Sequence, residues 1–262
     1  VNEAKILRVS PYLEKERMSI KLSADTIALL ENYAGISKGV FLKPGKELKT
    51  INASRSAAVL ATIVEEFPHD VPIHDIVNFL NALNLFTSPS IEFRESQRSM
   101  VISESEGDSK ASVVFQYSAP EVLLKPPTGR AKMNGPRVTF KLTETQLASL
   151  VKATSVFKNL EWAVISDGTT IKITTYNAKN VNSNAYSIIV DGESNGVKCT
   201  TVFSTENIRL LKGNYDVVVT EQAGCFTNTD RAALGKELIY WIGVESTSKF
   251  NGSGATADSA GN

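Results

Sequence analysis

The residues able to do chemistry are few. His69-Asp70 and His74-Asp75 hold both histidines of the chain, five positions apart and bracketing Val71-Pro72. A zinc site would need a third ligand and a shared face. Pro72 favours extended backbone, and a spacing of five sends the two side chains to opposite sides of a strand. His74 or Asp75 is therefore read as a helix cap, and no metal or cofactor is expected. No G-x-S-x-G accompanies a histidine, so a Ser-His-Asp triad has no anchor. Gly45-Lys46 lacks the earlier glycine and the following Ser or Thr of a phosphate loop, and reads as a hairpin turn. Of two cysteines, Cys199 falls inside a strand pattern and reads as core. Cys225, after Gly224 in an expected loop, is the candidate reactive thiol. Glu65-Glu66 are adjacent rather than facing and read as a solvated strand end. No catalytic constellation assembles, and the chain is read as a non-enzyme.

Basic residues are more informative. Lys152 and Lys158 fall off the apolar stripe of one helical pattern, and Arg209 and Lys212 off that of another. Lys125, Arg130, Lys132 and Arg137 add charge between them in a Pro/Gly-rich stretch. Acids gather elsewhere, at Glu65, Glu66, Glu92, Glu95, Glu104, Glu106, Asp108 and Glu121. Such a chain can turn one basic face toward a polyanion while staying neutral overall.

The elements carrying these residues are written twice. Ile20-Lys21-Leu22-Ser23 recurs 120 residues later as Phe140-Lys141-Leu142-Thr143, each a short strand ending in an N-capping residue. A helix follows each, with Ile27, Leu30, Tyr33 and Ala34 on one face of the first, and Leu147, Leu150, Val151 and Thr154 on one face of the second. Strands are expected at 39–42 (running into a Pro-Gly turn), 57–64, 90–95, 99–103 and 111–117 in the first half. In the second they are expected at 162–165, 170–176, 185–190, 198–203, 214–220 and 237–244. Asp167-Gly168 predicts a type I′ hairpin between 162–165 and 170–176. The strands 185–190 and 198–203 read as a second pair. Short second helices are expected at 76–83, capped by His74-Asp75, and at 206–211, capped by Ser204-Thr205 and stopped by Gly213.

The 262 residues fit two domains. Pro126, Pro127, Gly129, Gly135 and Pro136 mark 125–137 as the linker between domains at 18–124 and 138–250. Residues 1–17 read as an N-terminal extension ahead of a candidate start at Met18, and 251–262, without a large apolar residue, as a disordered tail. Twenty-eight Lys and Arg balance 28 Asp and Glu, which excludes a highly basic protein that coats nucleic acid. No apolar run reaches the ~20 residues of a membrane-spanning helix, and no secretory signal opens the chain. Two distant cysteines exclude a disulfide scaffold and fit a reducing compartment.

Four pieces carry a family resemblance: residues 20–34, Gly39-Val40-Phe41-Leu42-Lys43-Pro44-Gly45, residues 72–80, and Lys212-Gly213-Asn214-Tyr215-Asp216-Val217-Val218. In order and spacing they resemble the DNA polymerase sliding clamps of T-even-type bacteriophages, over roughly residues 18–245. The resemblance implies an α+β fold, a duplicated DNA-clamp fold of two similar domains, each with two helices packed on antiparallel β-sheets. It implies a homotrimeric ring around double-stranded DNA, without sequence preference, in the cytoplasm of an infected bacterial host. The implied partners are a polymerase C-terminal peptide, a clamp-loader ATPase and late-transcription factors; the peptide pocket is left unassigned. Lys152, Lys158, Arg209 and Lys212 become the expected DNA-facing residues, whereas 76–84 carries only Asn78, Asn81 and Asn84 as polar groups. The alternatives are a duplicated α+β hydrolase with a site between its halves, and a β-rich virion structural protein.

Overall fold

A computed structural model describes residues 19–107, 110–135, 137–180 and 182–251. The expected extension at 1–17 and all but the first residue of the expected tail lie outside the described residues. So does the candidate start at Met18.

The first half opens with β1 (Ser19–Ile20) and α1 (Ala24–Ala34), followed by β2 (Val40–Leu42), β3 (Gly45–Ile51), β4 (Ala57–Phe67) and β5 (Val71–Ile73). Next come α2 (Ile76–Leu83), β6 (Pro89–Arg94), β7 (Ser99–Glu104) and β8 (Ser112–Gln116). The second half repeats the opening with β9 (Val138–Leu142) and α3 (Glu144–Phe157), then β10 (Glu161–Asp167), β11 (Ile171–Tyr176), β12 (Tyr186–Val190), β13 (Gly192–Glu193) and β14 (Lys198–Ser204). It closes with β15 (Tyr215–Val219), β16 (Ala223–Asn228), α4 (Thr229–Ala233), β17 (Leu238–Gly243) and β18 (Lys249–Asn251).

The expected caps form where local chemistry dictates them. Ser23 Oγ accepts from Thr26 N–H at 3.2 Å, and Asp75 Oδ1 from Asn78 N–H at 2.9 Å. Thr143 makes a full capping box: its hydroxyl accepts from Gln146 N–H, and the Gln146 side chain accepts from Thr143 N–H. In α1 the buried set is Thr26, Leu29, Leu30 and Tyr33; in α3 it is Leu147, Leu150 and Ala153. Val151, expected on the inner face of α3, is half exposed.

Strand order exposes the repeat. β1-β6-β7-β8 form one antiparallel sheet, and β9-β15-β16-β17 recur in the same order inside a larger one. That larger sheet runs β13-β9-β15-β16-β17-β4-β3, so β17 of the second half pairs with β4 of the first, Tyr240 opposite Val59 and Trp241 opposite Ala58. The remaining sheets are β12-β11-β10-β14-β18 and the pair β2-β5. One contiguous apolar core, with Tyr33, Phe79, Phe93, Trp162, Phe203 and Tyr240 among its large side chains, runs through both halves.

Four expectations are corrected. β12 and β14 do not pair with each other, because the β10–β11 hairpin lies between them. That hairpin forms as predicted, but its turn is not type I′: of Asp167 and Gly168 only Gly168 has positive φ (+100°). Asp167 Oδ1 instead accepts from Thr169 and Thr170 N–H at 2.9 and 2.8 Å, donors that hold its carboxyl down at about 2. Cys225 lies in β16 rather than in a loop, and burial raises the pKa of its thiol, against a reactive role. Glu65 is not a solvated strand end: it accepts from Ser23 N–H and, at 2.6 Å, from the Thr26 hydroxyl, tying β4 to the start of α1.

The fourth expected helix, 206–211, is also absent. Asn207 N–H bonds Ser204 O and Ile208 N–H bonds Thr205 O, a single turn, after which tertiary partners take the backbone. Asn32 Nδ2 donates to Arg209 O at 2.6 Å, Leu211 N–H donates to Tyr240 Oη, and Tyr215 Oη donates to Leu211 O. The Arg209 carbonyl and both backbone groups of Leu211 are thereby taken from the helix ladder.

Candidate nucleic-acid interface

The four predicted basic residues fall on two neighbouring elements. In α3, Lys152 is five residues beyond Leu147 and two beyond Leu150, about 140° and 200° around the helix from those buried side chains. It therefore occupies the stripe opposite the core and is exposed. Lys158 ends the helix in the left-handed conformation (φ 54°), also exposed. Thr154, which accepts from the Trp162 indole at 2.7 Å, fixes this end against β10. Arg209 and Lys212 sit on the irregular 205–212 segment. Arg209 is exposed, and Lys212 Nζ lies 2.9 Å from Glu144 Oε1 in the first turn of α3. That pair is open to solvent on both sides and contributes no more than ~1 kcal/mol.

Pairwise contacts link these elements in a row, termed one face. α2 packs on α1, Asn32 of α1 holds the Arg209 carbonyl, and Lys212 reaches the start of α3. The order across the face is α2, α1, 205–212, α3. All four predicted residues belong to the second-half part of it. Neither first-half helix carries a Lys or Arg. The outward stripe of α2 is Asn78 and Asn81, and that of α1 is Ala28 and Glu31.

The two halves are joined beneath this face by a charged latch. α4 is capped by Asn228, whose side chain accepts from Arg231 N–H. Arg231, only 11% exposed in its side chain, bonds Asp25 of α1 and, at 2.8 Å, the carbonyl of Thr62 in β4. Lys236 Nζ lies 3.1 Å from the other Asp25 oxygen. Burial would raise the pKa of Asp25, but hydrogen bonds from Lys236 and Arg231, and their charges, outweigh it and lower it.

A second feature, missed in the sequence, flanks the 125–131 stretch. One cleft of about 220 Å³ lies between Pro126, Pro127 and Arg130 on one side and Ala58, Leu60 and Trp241 on the other. Another, of about 330 Å³, is lined by Phe41, Lys43, Lys49 and Lys125, with Lys43 Nζ 4.3 Å from the Phe41 ring centre. Arg130, which bonds Glu237, pins the stretch over the β17–β4 seam. The readable signal was Trp241, an aromatic that strand alternation turns away from buried Tyr240 and Ile242.

His69 and His74 are not brought together: His69 Nε2 is 3.1 Å from Tyr117 Oη beside Phe93, while His74 is exposed. Among the described residues no cluster of three His, Cys, Asp or Glu side chains is arranged to hold a metal ion. No helix there is long and apolar enough to cross a membrane.

No protein-family model matches the chain. Curated relatives do: the sliding clamp of Vibrio phage KVP40 is 25% identical over 233 residues, covering 86% of this chain and 99% of that protein. The sliding clamp of Escherichia phage RB69 is 25% identical over 207 residues, 76% and 87% of the two chains. Among solved structures, PCNA from Thermococcus kodakaraensis superposes with a TM-score of 0.63 at 13% identity, over 87% of this chain and 99% of that one. A. fulgidus PCNA, solved with the C-terminal region of FEN-1 bound, gives 0.61 at 11% identity, over 88% and 99%. The chain carries the fold of PCNA, and in sequence it is similar to the sliding clamps of T4-like phages.

Proposed function

We propose that this chain is a non-enzymatic sliding clamp: copies close head to tail into a ring around duplex DNA and tether a DNA polymerase to it. The observation that carries the reading is an unmatched pair of strand edges. Within the chain, β17, the last strand of the second-half repeat, pairs with β4. The counterpart of β17 in the first half is β8, at the end of β1-β6-β7-β8. The counterpart of β4 in the second half is β12, at the end of β12-β11-β10-β14-β18. β8 bonds only β7 and β12 only β11 among the described strands, and each turns an apolar side chain outward, Val114 at 52% and Ile189 at 67% exposed. Pairing β8 of one copy with β12 of the next repeats the internal seam between subunits. Such a contact joins two different surfaces, and closes when the rotation per copy divides a full turn. It also removes two edges that would otherwise invite irregular association.

The domain division at 125–137 makes each copy a pair of similar units, and three copies give a ring of six. The basic face then lines the hole, with Lys152, Lys158, Arg209 and Lys212 meeting phosphates without reading bases. A topological link needs no tight grip, which suits a chain with no net charge. The linker clefts, apolar below and lysine-rimmed above, suit the polymerase's C-terminal peptide, and the peptide complex of A. fulgidus PCNA supports the comparison. A clamp-loader ATPase would open the ring, and late-transcription factors would use the same tether, in the cytoplasm of a phage-infected bacterium.

Sedimentation and plasmid retention test the reading together. Wild type should be trimeric and should stay on nicked circular duplex until the circle is linearised. Val114→Glu and Ile189→Glu, both at exposed positions, should each give folded monomers. A wild-type protein that is monomeric at high micromolar concentration, or held equally by circular and linear DNA, would refute it.

A further inference from the structure

We infer that DNA inside the ring rests chiefly on the second-half arcs, so that the net cationic lining repeats three times per ring rather than six. The inference rests on the clamp reading and extends it to which half of each subunit the duplex meets.

Helix α3 presents Lys152 at the centre of the stripe opposite its core, among small neighbours Thr145, Ala148, Ser149 and Ser155 that let a long side chain reach outward. Its counterpart in the repeat, 120 residues earlier, is Asn32 in α1. Asn32 is committed internally, donating to Arg209 O and accepting from Tyr240 Oη at 3.0 Å. The remaining outward positions of α1 are Ala28 and Glu31, one of them an acid. The second pair behaves alike. The 205–212 segment carries Arg209 and Lys212, whereas its counterpart α2 offers Asn78 and Asn81. Lys152, Arg209 and Lys212 thus have no cationic counterpart in the first half, whereas Lys158 is matched 120 residues earlier by Lys38. Lys38, exposed after the end of α1, borders an open depression that Asp75, Asn78 and Asn81 also line, so the first-half face sets one lysine against the acids Glu31 and Asp75.

A duplex is a line of phosphates, and attraction to it falls off within a Debye length of about 8 Å at physiological salt. A wide ring lets the duplex move off-centre and rest against whichever arcs attract it. Three cationic arcs alternating with three neutral-to-acidic ones give three equivalent resting positions. A pseudo-sixfold lining would give six.

Equal charge substitutions on the outward faces of the two halves test this. Ser155→Glu on α3 and Asn81→Glu on α2 each add one acid at an exposed position, and each appears three times per ring. Retention on nicked circular plasmid is followed against salt. Ser155→Glu should shorten retention severely, and Lys152→Ala should lower the salt slope by about 1, at roughly 0.9 per phosphate contact with one arc engaged at a time. Asn81→Glu should stay close to wild type. A photo-crosslinker on Ser155→Cys should capture DNA, and one on Asn81→Cys should not, above the background of the native thiols. If Asn81→Glu costs as much as Ser155→Glu, or if position 81 crosslinks as well as position 155, the asymmetric contact is refuted while the clamp reading stands. If wild type leaves circles and linear DNA equally fast, the clamp reading itself fails, and this inference with it.

Discussion

Removing the Asp25 carboxylate should loosen the join between the two halves more than any other single side-chain change outside the apolar core. Asp25→Ala leaves Arg231 and Lys236 close together with no anion between them. The Arg231 side chain is 11% exposed, and its Nε is already buried without a partner, so it cannot recover its lost bond from water without moving. Breaking a buried ion pair by deleting one member costs ~3–5 kcal/mol. Asp25 itself is 37% exposed, so solvent screening brings the expectation down to ~2–3 kcal/mol. In a chain of this size each kcal/mol corresponds to roughly 2–4 °C, so the melting midpoint should fall by about 5–10 °C. The double variant Asp25→Ala/Arg231→Met should recover much of the loss, because an apolar chain of similar length no longer needs a counter-charge. Urea and thermal unfolding followed by Trp162 and Trp241 fluorescence would report both. A midpoint for Asp25→Ala within 1 °C of wild type would show that the latch carries no net energy and that the β17–β4 pairing alone joins the halves.

Two further outcomes follow from buried polar groups. Glu65 has its pKa lowered: burial would raise it, but bonds from Thr26 and Ser23 prevail. Its contribution is therefore complete above its unfolded pKa and is lost as pH falls through the lower folded value, so Glu65→Gln should flatten the acid limb of a stability–pH profile and cost ~1–2 kcal/mol at pH 7. A profile parallel to wild type below pH 4.5 would argue against it. Cys225 and Cys199, both with thiol pKa raised by burial, should react with a thiol reagent far more slowly at pH 8 in the native protein than in denaturant; equal rates in the two states would contradict the burial of these strands.

What could be read in the sequence was what is settled within a few residues. Ser23, Asp75 and Thr143 cap their helices because the cap oxygen and its target N–H lie three residues apart. Lys152 could be placed outward from the 3.6-residue period alone. Apart from the turn at Asp167-Gly168, which its own neighbours reshape, the failures involve distant chain. The 205–212 segment has a cap, a period and a stop, yet Asn32, Tyr240 and Tyr215 take its backbone groups from up to 177 residues away. β16 contains Gly224 and Cys225 and lacks β-branched density; it is a strand because β15 and β17 flank it. β3, with Lys46, Glu47 and Lys49, is missing from the expected strands; it forms because β4 pairs with it. The linker clefts needed two stretches that the sequence separates by some 180 residues, Ala58–Leu60 and Trp241.

That same separation has a cost during synthesis. β4 is complete once residue 67 leaves the ribosome, but its partner β17 begins at residue 238. At elongation rates of roughly 5–20 residues per second, β4 waits about 10–35 s with one edge open. It is an eleven-residue strand rich in Ala, Val, Leu and Ile, the kind that recruits a like edge from a neighbouring nascent chain. On a polysome, where many such chains lie close together, the first half should depend on chaperones until the C-terminal strands arrive. A slow-codon stretch between the halves would lengthen that interval, and yield of soluble protein should track it.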